Sequence, residues 1–310
     1  MSSSEIVNTQ ELEQWLWSAV NILRGPIDNA DFKAYIFPLL FLKRLSDVYD
    51  EEFAEALEVS DYDEEFASLA EQHRFQIPAG AHWRDLRKVN TNVGTAVDRA
   101  MREIERANPS NLFQIFGDVQ WTNKERFPDS LLVKLVDHFG GMSLSNALVP
   151  NDVLGNAYEY LIKKFADLTN KKAGEFYTPQ AVSTILARLV LTGKTELRDA
   201  YDPTCGSGSL LLRVAREIPK TATSKGVGVF YGQEMNRTTY NLARMNMIIH
   251  GVDYDRFSLK QEDTLERPQH GDQKFEAVVA NPPFSANWSA ESRFLEQPRY
   301  MPYSKLAPSS

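Results

Sequence analysis

Asp202-Pro203-Thr204-Cys205-Gly206-Ser207-Gly208-Ser209-Leu210 is the stretch on which the reading of this chain turns. A short strand candidate, Leu197 to Tyr201, runs into it, and Leu210 to Ile218 has helical spacing after it. Gly206 and Gly208 let the backbone turn tightly and come close to a ligand, and the helix that follows offers free N–H groups to it. Such a G-x-G turn also serves as a plain strand-to-helix connection. A nicotinamide cofactor is disfavoured, because Leu211 stands where the dinucleotide fingerprint needs its third glycine.

Downstream the pattern repeats. Gly226 to Tyr231 reads as a buried strand, a helix runs from Asn236 to Gly251, Arg256 to Lys260 is a weaker third strand, and Phe275 to Ala280 a strong fourth. Strands separated by helices predict a parallel, doubly wound sheet, whose ligands bind at the carboxyl ends of the strands. Three further groups stand at those ends. Glu234 can accept hydrogen bonds from ribose hydroxyls, or interact as an ordinary helix-start carboxylate with the dipole of the helix from Asn236. Asp263 can accept from an adenine amino group, or serve a turn. Asn281-Pro282-Pro283-Phe284 ends the fourth strand. Pro-Pro suffices to stop a strand without Asn before it and Phe after it. A planar substrate with an amino group uses all four: Asn281 and the Pro282 carbonyl accept from the amine, and Phe284 stacks on the ring.

Upstream, up to about Asn170, the periodicity is helical. Asn8 can cap a first helix, Glu11 can reach back to it, and Leu12, Trp15, Leu16, Ala19 and Leu23 form its apolar face before Gly25-Pro26 stops it. A second helix starts near Asp31 and buries Phe32, Tyr35, Ile36, Leu39, Leu42, Leu45 and Tyr49, with Pro38 expected to kink it or break it near Phe37. Others cover Asn92 to Ala107, Asp129 to Phe139 and Asn151 to Leu168. The chain is expected to divide into a helical domain, residues 1–150, and an α/β domain, residues 151–310.

In this order, Asp202 to Gly208, Glu234, Asp263 and Asn281 to Phe284 resemble the motifs of amino-methyltransferases in the class that places cofactor binding before catalysis. Gly174-Glu175-Phe176-Tyr177-Thr178-Pro179-Gln180 resembles the segment with which DNA adenine methyltransferases wrap the methionine end of their cofactor. The stretch from Asp31 to Asp47, DFKAYIFPLLFLKRLSD, is similar to the helical N-terminal domain of type I restriction-modification modification subunits. The resemblance covers nearly the whole chain. It implies a helical N-terminal domain followed by a Rossmann-like class I methyltransferase domain with the first four strands of its sheet, transferring methyl from S-adenosylmethionine to N6 of a flipped adenine. It implies catalysis by Asn281, Pro282, Pro283 and Phe284, and cofactor contacts from Glu175, Phe176, Tyr177, Thr178, Pro179, Gln180, Thr204, Cys205, Gly206, Gly208, Glu234 and Asp263, with Asp202 near the methionine moiety. The implied partners are double-stranded DNA, a specificity subunit, a restriction subunit and a second modification subunit. The family fold continues with three more strands and a helical tail, so either a chain cut off after the fourth strand or a partner covering that edge is expected, the first being favoured. A protein or ribosomal amino-methyltransferase shares the loop and the Asn-Pro-Pro-aromatic motif, and a non-catalytic assembly or DNA-binding subunit is the other alternative.

Composition bounds these readings. With 310 residues, 43% hydrophobic and 25% charged, the chain has the make-up of a globular protein of about two domains. Its start has no signal-peptide pattern, and its most apolar run, Tyr35 to Leu42, is too short to span a bilayer, so a cytoplasmic, non-membrane protein is expected. One cysteine excludes an internal disulfide, and the five scattered histidines predict no metal. A net charge of −8 argues against coating nucleic acid by bulk attraction. Asp47 to Glu71 carries acids without a Lys or Arg and reads as a solvated helical face. DNA is expected instead at Lys163-Lys164 and Lys171-Lys172.

Overall fold

A computed structural model describes residues 6–168, 178–219, 226–284, 287–298, 300–303 and 305–306. By packing, the chain forms two compact units, Met1–Asn170 with Ile248–Gly251, and Lys171–Met247 with Val252–Ser310.

In the helical unit, α1 (Thr9–Leu23) begins where Asn8 accepts a hydrogen bond from the Glu11 N–H at 2.8 Å. Glu11 does reach back, to the side-chain amide of Asn8 at 3.4 Å. Helix α2 (Phe32–Val59) runs through Pro38 without the break that was one of the two outcomes expected there. Proline removes one N–H and strains the previous turn, at about 3 kcal/mol. Burial of every residue from Tyr35 to Ser46 offsets this, since the helix is packed all round and not on a single stripe.

The acidic run is only partly a solvated face. Asp47 pairs with Lys43 and accepts from the Leu144 N–H at 2.6 Å, while Glu51 accepts from the N–H groups of Asn146 and Ala147, both at 2.7 Å. Asp50 pairs with Arg84 at 2.9 Å and Glu52 accepts from the Arg74 N–H at 3.1 Å. Between these acids, buried Arg44 donates to the carbonyls of Leu144 and Val149 and to the side-chain oxygens of Asn146 and Asn151. One face of α2 thus supplies the hydrogen bonds that the loop from Leu144 to Val149 lacks. The partners lie far along the chain, so a local charge count misses them. The expected solvation holds from Glu55 onward, where Glu55, Glu58, Asp61, Glu64, Glu65 and Glu71 are exposed.

Two short helices follow, α3 (Glu64–Ala67), capped by Asp63, and α4 (Trp83–Leu86). Then come α5 (Val93–Ala107), α6 (Asp129–Phe139) and α7 (Asn151–Leu168). Asn92 adopts a left-handed φ of 53°, and its side chain does not cap α5; Asp129 does so from a distance, accepting from the N–H groups of Asn92 and Val93 at 3.0 and 2.9 Å. Gly94 lies so close to the backbone of Trp121 that a Cβ there would overlap the Trp121 carbonyl. Gly94→Ala is therefore expected to destabilise the helical unit by about 1–3 kcal/mol, read as a lowered midpoint in thermal unfolding; an unchanged midpoint would contradict this packing. Of the basic residues expected to meet DNA, Lys163 is exposed, and the Lys164 ammonium lies over the rings of Trp17 and Tyr160. Lys171 and Lys172 lie outside the described residues.

The second unit opens with α8 (Gln180–Val190), which the sequence pattern did not announce. Strand β1 (Leu197–Asp202), α9 (Ser209–Glu217), β2 (Val227–Glu234), α10 (Arg237–Ile249), β3 (Phe257–Gln261) and β4 (Ala277–Val278) follow. The sheet has the order β3-β2-β1-β4 and is parallel throughout, as expected. Its fourth strand is much shorter than expected. Ala277 and Val278 pair with β1, the Val279 N–H donates to the Tyr201 carbonyl at 2.9 Å, and the residues before them are held by side chains: Asp199 accepts from the Glu276 N–H at 2.6 Å, and Glu276 accepts from the Arg198 N–H at 2.7 Å. Phe275 stacks on the Tyr201 ring, with centroids 4.4 Å apart. After β4 the described chain forms two 3₁₀ turns, Ser292–Glu296 and Met301–Tyr303, and groups Trp288, Phe294 and Tyr300 in an aromatic cluster. Among the described residues no helix is long and apolar enough to cross a membrane.

Candidate active site at the carboxyl edge of the sheet

Because the order reverses beside β1, with β2 on one side and β4 on the other, the switch point of the sheet lies between β1 and β4. Asp202 ends β1 there and Asn281 follows β4.

Asp202 is almost fully buried and accepts from the Thr204 N–H at 2.9 Å. Burial pushes its carboxyl up to about 7, with the charge of Glu234 adding and the hydrogen bonds from Thr204 opposing. The loop turns at Gly206 (φ 54°) and Gly208 (φ 77°), where a side chain would strain the backbone. Cys205 ties the loop to β2 through its N–H, 2.9 Å from the Gln233 carbonyl. Its thiol is buried, and that burial pushes it well above its ordinary value, which disfavours the thiolate.

At the end of β2, Glu234 accepts from the Gly206 N–H at 3.2 Å and the Asn236 N–H at 2.7 Å. The α10 cap is supplied by Asn236, whose side-chain oxygen accepts from the Thr239 N–H at 3.0 Å. Glu234 therefore braces the loop after β1 as well as the start of α10. At the end of β3, the Asp263 carboxylate accepts from the N–H groups of Leu265 and Glu266, at 2.8 and 3.3 Å, and builds the turn there. Thr264 donates to the Pro203 carbonyl, bringing that turn against the β1 loop.

Sequence reading passed over Gln233. Fully buried, it donates to the carbonyls of Glu262 and Arg267 at 3.0 and 3.1 Å and accepts from the Gln269 N–H at 2.9 Å. One amide thus fixes the loop after β3 to β2. An uncharged polar residue at the end of the buried run from Val227 was the available signal.

After β4, Asn281 is half-buried, and its amide donates to the Thr178 hydroxyl at 3.2 Å. Pro282 and Pro283 are exposed, and Phe284 is 80% exposed. Thr178 and Pro179 precede α8, and Gln180 begins it; no described contact draws Pro179 or Gln180 to the other candidates. Glu175, Phe176 and Tyr177 lie outside the described residues. The edge thus presents a buried acid, a tight glycine turn, two further carboxylates, a held amide and an exposed ring. This set can accept a cation, hydroxyls and an amine, and can stack a planar ring.

Residues 149–310 match the family model described as N-6 DNA Methylase, and residues 12–139 match that of the HsdM N-terminal domain. The methylase subunit of the type I restriction enzyme MpnII from Mycoplasma pneumoniae is 31% identical over 96% of this chain and 63% of its own length. That of HindI from Haemophilus influenzae is 30% identical over 72% of this chain and 54% of its own. The crystal structure of the methyltransferase subunit of a type I restriction-modification system from Streptococcus thermophilus aligns with a TM-score of 0.81 and 32% identity, covering 98% of this chain and 69% of that one. The chain therefore spans between a half and two thirds of the length of these curated relatives.

Proposed function

Since the chain belongs to the N-6 DNA methylase family of type I restriction-modification methyltransferase subunits, we propose that it transfers a methyl group to the N6 amine of an adenine flipped out of duplex DNA. The observation that carries this reading is Asn281-Pro282-Pro283-Phe284 at the switch point, with its amide anchored and its ring bare.

S-adenosylmethionine is the cofactor of the family, and it supplies an activated methyl on a positively charged sulfur. The residues present fit it. Asp202 offers a buried carboxyl whose ionisation a neighbouring cation restores. The loop from Thr204 through Cys205 and Gly206 to Gly208 leaves open the space that side chains at the glycines would narrow. Glu234 offers lone pairs to ribose hydroxyls, and Asp263 to the adenine amine of the cofactor.

On the substrate side, a stacked base cannot reach this edge and must be extruded, at a few kcal/mol. Phe284 offsets part of that cost by stacking on the base. The Asn281 side-chain oxygen and the Pro282 carbonyl accept the two amine hydrogens, which turns the nitrogen lone pair toward the methyl. This is catalysis by orientation and hydrogen bonding. The relatives are named as methylase subunits of type I restriction enzymes, which supports assembly with other subunits; the resemblance implies that these are a specificity subunit, a restriction subunit and a second modification subunit, with the target sequence read by the specificity subunit.

The test is transfer of labelled methyl to adenine-containing duplex DNA compared with protein acceptors. Labelling of protein alone would replace the DNA reading by the protein amino-methyltransferase alternative. Phe284→Ala is expected to lower kcat/KM for DNA by about 5- to 150-fold, the loss of one stacked ring, with cofactor affinity unchanged; an undiminished kcat/KM would remove the stacking role.

A further inference from the structure

The Asn281 amide has two unlike ends. An amine acceptor has use only for its oxygen, because both amine hydrogens are donors and the nitrogen lone pair must face the methyl. The amide nitrogen therefore needs an acceptor of its own, and it has one in the Thr178 hydroxyl, 3.2 Å away. Thr178 is itself held: buried Ser183, in the first turn of α8, donates through its hydroxyl to the carbonyls of Thr178 and Pro179, at 3.3 and 3.2 Å. The Ser183 N–H adds a bond to the Pro179 carbonyl at 3.0 Å. β4 pairs through Ala277 and Val278, and the last described backbone bond from it to β1 is that of the Val279 N–H to the Tyr201 carbonyl at 2.9 Å, so the ladder stops short of Asn281. The support for Asn281 comes from the helix across the switch point.

We propose that Thr178 is a positioning residue for methyl transfer, which, fixed by Ser183, anchors the amide nitrogen of Asn281 and leaves its oxygen for the acceptor amine. This rests on the reading of Asn281 given above and adds a role for Thr178 other than the cofactor contact implied by resemblance. The step itself is unchanged: the amine lone pair forms the new N–C bond, the S–C bond breaks with its electrons to sulfur, and the amine proton leaves to solvent.

Thr178→Val keeps the shape of the side chain and removes the acceptor, and Thr178→Ser restores it. The chain is assayed in its native assembly by single-turnover transfer from labelled S-adenosylmethionine to adenine-containing duplex, with cofactor affinity measured by calorimetry. The valine variant is expected to transfer about 10- to 100-fold more slowly at saturating cofactor, with cofactor Kd within about two-fold and the rate recovered in the serine variant. An unchanged rate with valine overturns the proposal. A raised cofactor Kd with an unchanged saturated rate also overturns it, by returning Thr178 to the cofactor. Loss without recovery by serine overturns it too, since the hydroxyl is then not what matters. Asn281→Ala distinguishes the failure of the underlying reading: if that variant remains active, the site assignment fails; if it alone is inactive, only the role of Thr178 fails.

Discussion

Asn281→Ala is expected to slow methyl transfer by about 10²- to 10³-fold or more while leaving cofactor affinity within about two-fold. The asymmetry follows from where the groups stand. The side chains fitted to the cofactor belong to β1, β2, β3 and their loops, which are cross-braced by Gln233, Glu234 and Thr264 independently of Asn281. Asn281 makes one bond to Thr178, and on the proposed reading its oxygen serves the acceptor amine. Removing it takes away orientation at the reacting nitrogen and leaves the donor cradle intact. Calorimetry for binding and labelled-methyl incorporation for transfer separate the two, and full activity in the variant would sink the assignment.

Asp202→Asn is expected to act in opposite directions on stability and on cofactor binding. Folding raises the Asp202 carboxyl from its ordinary 3.8 to about 7, because the buried carboxylate loses its hydration. A raised carboxyl favours the folded state most below about pH 4, and that contribution is lost as pH rises through 7. At pH 8 the buried charge costs on the order of 4 kcal/mol, against roughly 2 kcal/mol at pH 5.5. Asparagine removes this cost, so without cofactor the variant is expected to melt higher than the parent, with a larger gain at pH 8 than at pH 5.5. With S-adenosylmethionine the order reverses, because an amide cannot neutralise the charge of the ligand. Binding to the parent near neutral pH also releases a proton, visible as a dependence of calorimetric heat on the buffer used. A gain independent of pH would mean that Asp202 is ionised in the folded chain.

Where neighbours in sequence are also neighbours in space, the sequence was legible. The Asn8 cap, the apolar spacing of α1 and the bounds of α6 and α7 follow from local rules of capping and period. The order of motifs along the chain anticipated the carboxyl edge of the sheet for the same reason, since each motif ends its own strand. Elements that depend on distant partners were misread or missed. Asp47 and Glu51 look solvated until the loop from Leu144 to Ala147 is laid against them. Helix α8 hides because its pattern is inverted: small Ser183 and Ala187 are buried, while Val182, Ile185 and Leu189 face outward. β4 looked long because Phe275 is apolar, yet that ring lies on Tyr201 instead of extending the ladder. The link from Thr178 to Asn281 crosses most of the second unit and leaves no local trace.

The place of β4 in the sheet also bears on how the molecule assembles and opens. Its partner β1 is the first strand of the unit, so this pairing closes over the whole run of β2 and β3, and the entropy of that closure is recovered through a short ladder, the Val279 N–H bond to Tyr201 and a few side chains. The β1-β2-β3 core, paired over longer stretches, can form ahead of it and outlast it. The weakly paired edge that carries Asn281 is therefore expected to exchange its amide hydrogens ahead of the β1-β2-β3 core.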